Sequence, residues 1–272
     1  GETIGPPTGV TRPFRVQAAV AASTEGRHVT GLRVLPVTGL PEIAEGDDLG
    51  DLIAGAAELE DGDVVVVAQK VISKAEGRVL ELDAIDVSSA AREIAAADGR
   101  DARHVQAVLD EAVRIVRRRG GFVIAETRHG FVCASAGVDA SNAPAPGQIV
   151  LLPLDPDASA AALRARLREL SGRDVGVLVT DSFGRAWRQG TTDVAIGAAG
   201  VPVLLDLTGV RDPVGYELHA TMIAVADEIA GAAQLVMGKT SGIPAAIVRG
   251  LDLRGDGTAG ELVMPSDRDL FR

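Results

Sequence analysis

Asp139, in AGVDASN, and Asp181, in VTDSFGR, each follow a short apolar run and are the residues of this chain best suited to hold a hard cation. Divalent ions such as Mg2+ favour carboxylate oxygens, and an ion so held can bridge a polyphosphate. Asn142 could orient a nucleotide or a metal-bound water, and the Ser182 hydroxyl could complete a metal shell or hold a phosphate oxygen. The same residue types also make ordinary capped turns, and their spacing leaves both roles open. Lys74, in VISKAEGR, could sit against a phosphate with Gln69, Lys70 and Ser73 adding hydrogen bonds; a solvated lysine is the plain alternative. Arg185 and Arg188 could fork onto a phosphate or carboxylate, or bridge to Asp193 or Asp212.

Several familiar chemistries are missing. GKT in MGKTSGIP lacks the GxxxxGK[ST] spacing of a phosphate-binding loop. There is no GxSxG elbow and no HExxH motif, and His28, His104, His129 and His219 form no close ligand pattern. Cys133 lies inside the strand-like FVCAS with no histidine partner nearby, which argues for an apolar role rather than a nucleophile.

The chain that must position these groups has 272 residues, 46% hydrophobic and 24% charged, enough for one large core or two modest ones. With 27 Lys and Arg against 38 Asp and Glu, its net charge of -11 excludes a general nucleic-acid binder. One cysteine rules out an intrachain disulfide. No apolar run approaches the roughly 20 residues of a membrane span, so a soluble cytoplasmic protein, with no membrane partner, is expected.

Along the chain, residues 1–30 read as a flexible arm and 32–38 as a first strand, with Asp47 capping a helix that opens at Leu49. Val64–Ala68 reads as a buried strand delivering Gln69, Lys70, Ser73 and Lys74 at its carboxyl end. Residues 88–119 suggest two helices broken at Asp98 and Gly99, with RRR at 117–119 as a helix end. Strands flank a turn near His129 and Gly130, and a helix follows LPLDPD with Asp157 or Ser159 near its start. Another strand then delivers Asp181 and Ser182 into a loop carrying Arg185, Arg188 and Asp193. Residues 217–237 read as one helix, 238–244 as a Gly-rich turn and 256–272 as a tail or linker.

Taken in order, GLPEIAEGDDL, DGDVVVVAQKVISKAEGR, AGVDASN, LPLDPDASA, TDSFGRAWRQG, GVRDPVGYEL, VADEIAGAAQLVMGK and IPAAIVRG closely resemble the coenzyme F420-0:L-glutamate ligase family over roughly residues 32–250. That resemblance implies GTP-dependent addition of L-glutamate to F420-0, a phospholactyl-containing deazaflavin, with further gamma-linked glutamates in many members. It implies an α+β, non-Rossmann, non-ATP-grasp fold with two interlocked subdomains over residues 31–255, and a homodimer. GTP, Mg2+ or Mn2+, and K+ as a candidate monovalent ion, come with it. The implied nucleotide contacts are Leu40, Pro41, Glu42, Ile43, Gln69, Lys70, Lys74, Asn142 and the stretch Met237, Gly238, Lys239, Thr240, Ser241, Gly242, Ile243 and Pro244. Asp139, Asp181 and Ser182 are the implied metal ligands. Chemistry would then fall to Lys74, Asp181, Arg185 or Arg188, and Asp193. Lys239 departs from an archaeal branch that carries an acidic ligand there; an ammonium has no lone pair for a cation. The ending DRDLFR resembles the junction that precedes a C-terminal flavin-dependent reductase-like module in some bacterial members. A metal-dependent nucleotide hydrolase or phosphotransferase, and a non-catalytic GTP-binding regulator, are the competing readings.

Overall fold

The computed structural model describes residues 31–251 and 253–270; the arm expected over 1–30 lies outside them. Its centre is strand β2 (Val64–Ala68), whose four valines are fully buried. Successive side chains of a strand face opposite sides of a sheet, so a strand apolar at every position is one covered on both faces. Val65 and Val67 pack with Leu49 and Ile53 of helix α1 (Leu49–Ala56) and with Leu163 and Leu167 of a helix over Pro156–Ser171. Val64 and Val66 pack on the opposite face with Ile229, Ala233 and Met237 of a helix over Val225–Met237. In chain order these last two are α5 and α6.

The sheet runs β1 (Arg33–Val37), β12 (Ala245–Arg249), β2, β8 (Gly176–Arg185), β9 (Arg188–Ala199). Only β2 and β8 are parallel; the other pairings are antiparallel. Parallel neighbours need a long crossover. Here it holds helices α2 (Gln69–Ala75), α3 (Ser89–Ala96) and α4 (Ala102–Glu111). It also holds the pair β3 (Val79–Glu81) and β7 (Gln148–Val150), and an antiparallel sheet of β4 (Ala112–Arg119), β5 (Phe122–Thr127) and β6 (Val132–Ala134). This crossover has its own core of Ile94, Val105, Val108, Val123, Ala125 and Ile149. The result is an α+β protein with mixed sheets. Residues 205–223 form a separate unit with the short antiparallel pair β10 (Leu205–Asp206) and β11 (Met222–Ile223). No helix among the described residues is long and apolar enough to cross a membrane.

Several expectations need correction. Asp48, not Asp47, caps α1, accepting from Asp51 N at 3.0 Å, while Asp47 accepts from Ala44 N. Asp157 does stand in the first turn of α5, and Asp155 is its cap. Residues 112–119 are strand rather than helix: Val113 and Ile115 are exposed, and pairing with β5 outweighs helical propensity. The helix expected over 217–237 begins only at Val225. Most consequentially, the expected loop after Asp181 is the hairpin of β8 and β9, closed by the pairing of Arg185 with Arg188. At the C-terminal end, residues 256–263 are tied in: Gly257 N donates to Val201 O, and Asp157 Oδ1 accepts both Ala259 N and Ala198 N at 2.8 Å. Gly197 lets β9 touch α5, since a Cβ there would stand 2.2 Å from Pro156 O.

Asp63, 1% exposed at the start of β2, receives Arg249 of β12 in a bidentate pair, with Nε and Nη2 each at 2.7 Å, and accepts Glu60 N at 2.7 Å. Removing Asp63 takes the bidentate acceptor from Arg249, which keeps Glu60 and the Glu58 carbonyl, and leaves Glu60 N without its acceptor. The cost lies near the lower end of the about 3–5 kcal/mol of a broken buried pair. Asp63→Ala is therefore expected to lower the denaturation midpoint by that equivalent with an unchanged m-value. A loss below about 1 kcal/mol would show that the pair behaves as a surface contact.

Candidate active site

Because β2 and β8 are parallel and adjacent, their carboxyl ends open on the same edge of the sheet. A cavity of about 370 Å³ lies there. Helix α2 follows β2 directly after Ala68 and sets Gln69, Lys70 and Lys74 in its wall, while β8 supplies Thr180, Asp181 and Ser182. Thr180 and Ser182 share one face of β8, both reaching Asp193, and Asp181 takes the other; all three line the cavity because it lies at the strand's carboxyl end. Asp193 on β9 and Gln234 on α6 close the far wall, and the segments 40–43 and 237–244 close the rim. Gly238 ends α6 at φ 59, a backbone region that suits glycine.

Negative charge dominates the floor. Burial pushes the Asp181 carboxyl up to about 6; Lys70 opposes this, and Asp139 and Asp193 add to it. Asp139 is also partly buried, but the hydrogen bond and charge of Lys70 (2.7 Å) and the Ser141 donors (2.7 and 2.9 Å) outweigh burial and hold it below the usual range. Asp193, 7% exposed, accepts Ser182 Oγ at 2.5 Å and a long contact from Thr180 Oγ1 at 3.5 Å, and its own N–H donates to Gln234 Oε1 at 3.2 Å. The Lys74 ammonium, on a side chain that is almost entirely buried, pairs with exposed Glu42. Gln69 accepts Ser73 Oγ at 2.8 Å, which leaves its buried Nε2 without a protein partner.

The two carboxylates and the Ser182 hydroxyl are hard oxygen donors, of the kind Mg2+ or Mn2+ takes when water completes its shell. Asp181, with its charge unmet by any hydrogen-bonded cation, fits that use. No group of three His, Cys, Asp or Glu side chains converges on one point among the described residues. Any ion held here would therefore rest on few protein ligands.

Most of the residues singled out from the sequence line this cavity: Leu40, Pro41, Glu42, Ile43, Gln69, Lys70, Lys74, Asn142, Asp181, Ser182, Asp193, Met237, Gly238, Lys239, Thr240, Gly242, Ile243 and Pro244. Asp139 reaches its edge through Lys70. Ser241 turns away, donating to Met237 O. Arg185 and Arg188 stand exposed at the hairpin tip, outside the lining, where Arg185 Nη2 donates to Gln189 O at 3.2 Å. Thr180 and Gln234 were missed. Gln234 did leave a signal: it falls four residues after Ala230, on the otherwise apolar face of α6. Cys133 is buried, and burial first, then the charge of Asp181, pushes its thiol up to about 12, which leaves it inert.

Comparison with known proteins points the same way. Residues 39–250 match the sequence model of the family described as F420-0:Gamma-glutamyl ligase. A coenzyme F420:L-glutamate ligase of Methanopyrus kandleri is 50% identical over 247 residues, covering 89% of this chain and 98% of its own. Those of Archaeoglobus fulgidus and Methanothermobacter thermautotrophicus are 47% and 43% identical, again over 89% of this chain and over 96% and 99% of theirs.

The raised carboxyl of Asp181 has a stability consequence. Its charge costs nothing below the ordinary value of 3.8, costs progressively more as pH rises towards about 6, and is fully felt above that. Asp181→Asn is thus expected to stabilise the protein in EDTA above pH 6, by about 2–3 kcal/mol, with the gain vanishing near pH 4. Thermal melts across that range check the sign; a variant less stable at pH 7 than at pH 4, relative to the parent, would refute it.

Proposed function

The chain belongs to the F420-0:gamma-glutamyl ligase family, and from that membership together with the cavity we propose that it is a GTP-dependent ligase joining L-glutamate to coenzyme F420-0. The observation that carries the assignment to this cavity is the meeting of Lys74, Asp181, Ser182 and Asp193 with the two rim segments at the shared end of β2 and β8.

A free carboxylate is a poor acyl donor. In our reading the gamma-phosphoryl group of GTP passes to the F420-0 carboxylate, releasing GDP and giving an acyl phosphate. The glutamate amine then attacks its carbonyl carbon, forming the C–N bond and expelling inorganic phosphate. Lys74 exchanges Glu42 for phosphate oxygens and holds them in place. Gln69, oriented by Ser73, turns its unpartnered N–H groups towards an acceptor atom of the nucleotide. Asn142 and the segments 40–43 and 237–244 frame that nucleotide, with Lys239 at the rim free to meet a phosphate or an incoming carboxylate. In this reading Asp193 takes a proton from the attacking ammonium. Arg185 and Arg188, on the hairpin tip, are reserved for a distal acidic group of a substrate. Asp139, Asp181 and Ser182 would hold Mg2+ or Mn2+, which when bound supplies charge neutralisation for the transferring phosphoryl group.

The two cores, one in the main sheet and one in the crossover, correspond in this reading to the two interlocked subdomains of the family fold, neither Rossmann nor ATP-grasp. The working form is a cytoplasmic homodimer, with K+ as an accessory ion.

Purified protein given GTP, Mg2+ or Mn2+, L-glutamate and F420-0 is expected to yield a product heavier by one or more glutamate residues, with GDP and phosphate in step. GMP and pyrophosphate would refute the acyl-phosphate route, and glutamate-independent GTP loss would favour a hydrolase. Lys74→Ala is expected to cut turnover by about 10²–10³, and Asp181→Asn to abolish its metal dependence along with most of the activity.

A further inference from the structure

The reaction brings together three molecules, two of them large. Small-molecule pockets run to about 300–1,000 Å³, so the cavity of about 370 Å³ at the carboxylates has room for one such ligand. A second cavity, about 580 Å³, also draws on β8 and β9. Its chemistry is the opposite of the first. Phe131, Phe183, Trp187, Val194, Val263 and Met264 line it, with Asp227, Arg268 and Asp269 as its charged groups.

We propose that this second cavity seats the planar, fused-ring deazaflavin end of F420-0, so that the phospholactyl arm runs into the first cavity. The proposal rests on the ligase reading above and assigns the acceptor substrate a place within it. Three observations support it. First, Asp181 lines one cavity and Phe183 the other, on the same face of β8 and two strand residues or about 6.6 Å apart. An arm of about ten atoms spans that step easily. Second, the aromatic floor is preset. His129 Nε2, 3.0 Å from Pro153 O and 3.1 Å from Leu154 O, holds its ring stacked on Phe131 at 5.3 Å, and Phe131 meets Phe183 edge-on at 6.2 Å. Such rings present a rigid apolar surface to a flat ligand. Third, Trp187 stands 81% exposed at the turn of the hairpin, in the left-handed region at φ 58, where it forms part of the cavity wall. Asp227, one oxygen of which accepts Ala195 N at 2.9 Å, and the guanidinium of Arg268 suit the few donors and acceptors on the ring's pyrimidine edge.

Trp187 is the chain's single tryptophan, so its fluorescence reports on this wall alone. Titration with the deazaflavin alcohol that lacks the phospholactyl arm is expected to quench it saturably, and GTP alone to leave it unchanged. In turnover assays, Trp187→Ala and Met264→Glu should each raise the KM for F420-0 at least tenfold with the KM for GTP unmoved, and Trp187→Phe should restore most of the loss. Both altered side chains are largely exposed, so folding is not at stake. No quenching by the ring compound, or an unchanged KM for F420-0 in both variants, would overturn the proposal. So would quenching that depends on protein concentration without ligand, which would mean that a second copy covers the wall. Ring binding needs no catalysis: a protein that binds the ring but joins no glutamate refutes the ligase reading alone, and one that ligates without a Trp187 signal refutes this proposal alone.

Discussion

Buried negative charge at the shared end of two parallel strands is the constraint on which the rest of this structure depends. β2 and β8 run side by side in the same direction, so whatever follows each of them meets at one edge. After β2 comes a helix carrying Lys70 and Lys74; at the end of β8 come Asp181 and Ser182, with Asp193 opposite on β9. Any other pairing of these strands would separate the cations from the acids. The valines of β2, buried on both faces, make that pairing expensive to change.

This arrangement explains how a protein of net charge -11 can handle polyphosphate and carboxylate substrates. Long-range repulsion is a surface effect and is screened within about 8–10 Å in physiological salt. Inside the cavity the relevant charges are local. Lys70 already divides its charge between Asp139 and Asp181, and Lys74 is neutralised by Glu42. Neither lysine is idle, so an incoming phosphate must displace a carboxylate partner instead of filling an empty socket. The exposure of Glu42 makes that exchange cheap, because its carboxylate regains water when it leaves.

The sequence made the site more legible than the fold around it. Val64–Ala68 stands out because nothing else in the chain has four valines in a row, and Gln69, Lys70 and Lys74 follow at once. Asp139 and Asp181 were visible as acids ending apolar runs. Failures came where local chemistry was ambiguous. AVRIVRRR alternates loosely enough to suit helix or strand, and its partner β5 decides. SFGRAWRQGTTD is polar and glycine-bearing like a loop, yet cross-strand hydrogen bonds carry it as hairpin. That misreading matters most for Arg185 and Arg188: in a loop they could fold back on Asp181, but on paired strands they are held at the tip. The cap of α1 slipped by one residue because Asp47 and Asp48 are chemically equal, and only backbone angle separates them.

The hairpin also shows how strand alternation sorts the chemistry of this edge. Thr180 and Ser182, two residues apart on β8, turn their hydroxyls to the same carboxylate, that of Asp193, which pairs directly opposite Ser182 on β9. Asp181 and Phe183 fall on the alternate face, where Asp181 lies in the field of Lys70 and Asp139 and Phe183 packs edge-on against Phe131. A hydroxyl-and-carboxylate surface and an acid-and-aromatic one therefore follow each other within four residues, a separation that the sequence TDSF leaves unstated until β9 pairs with it.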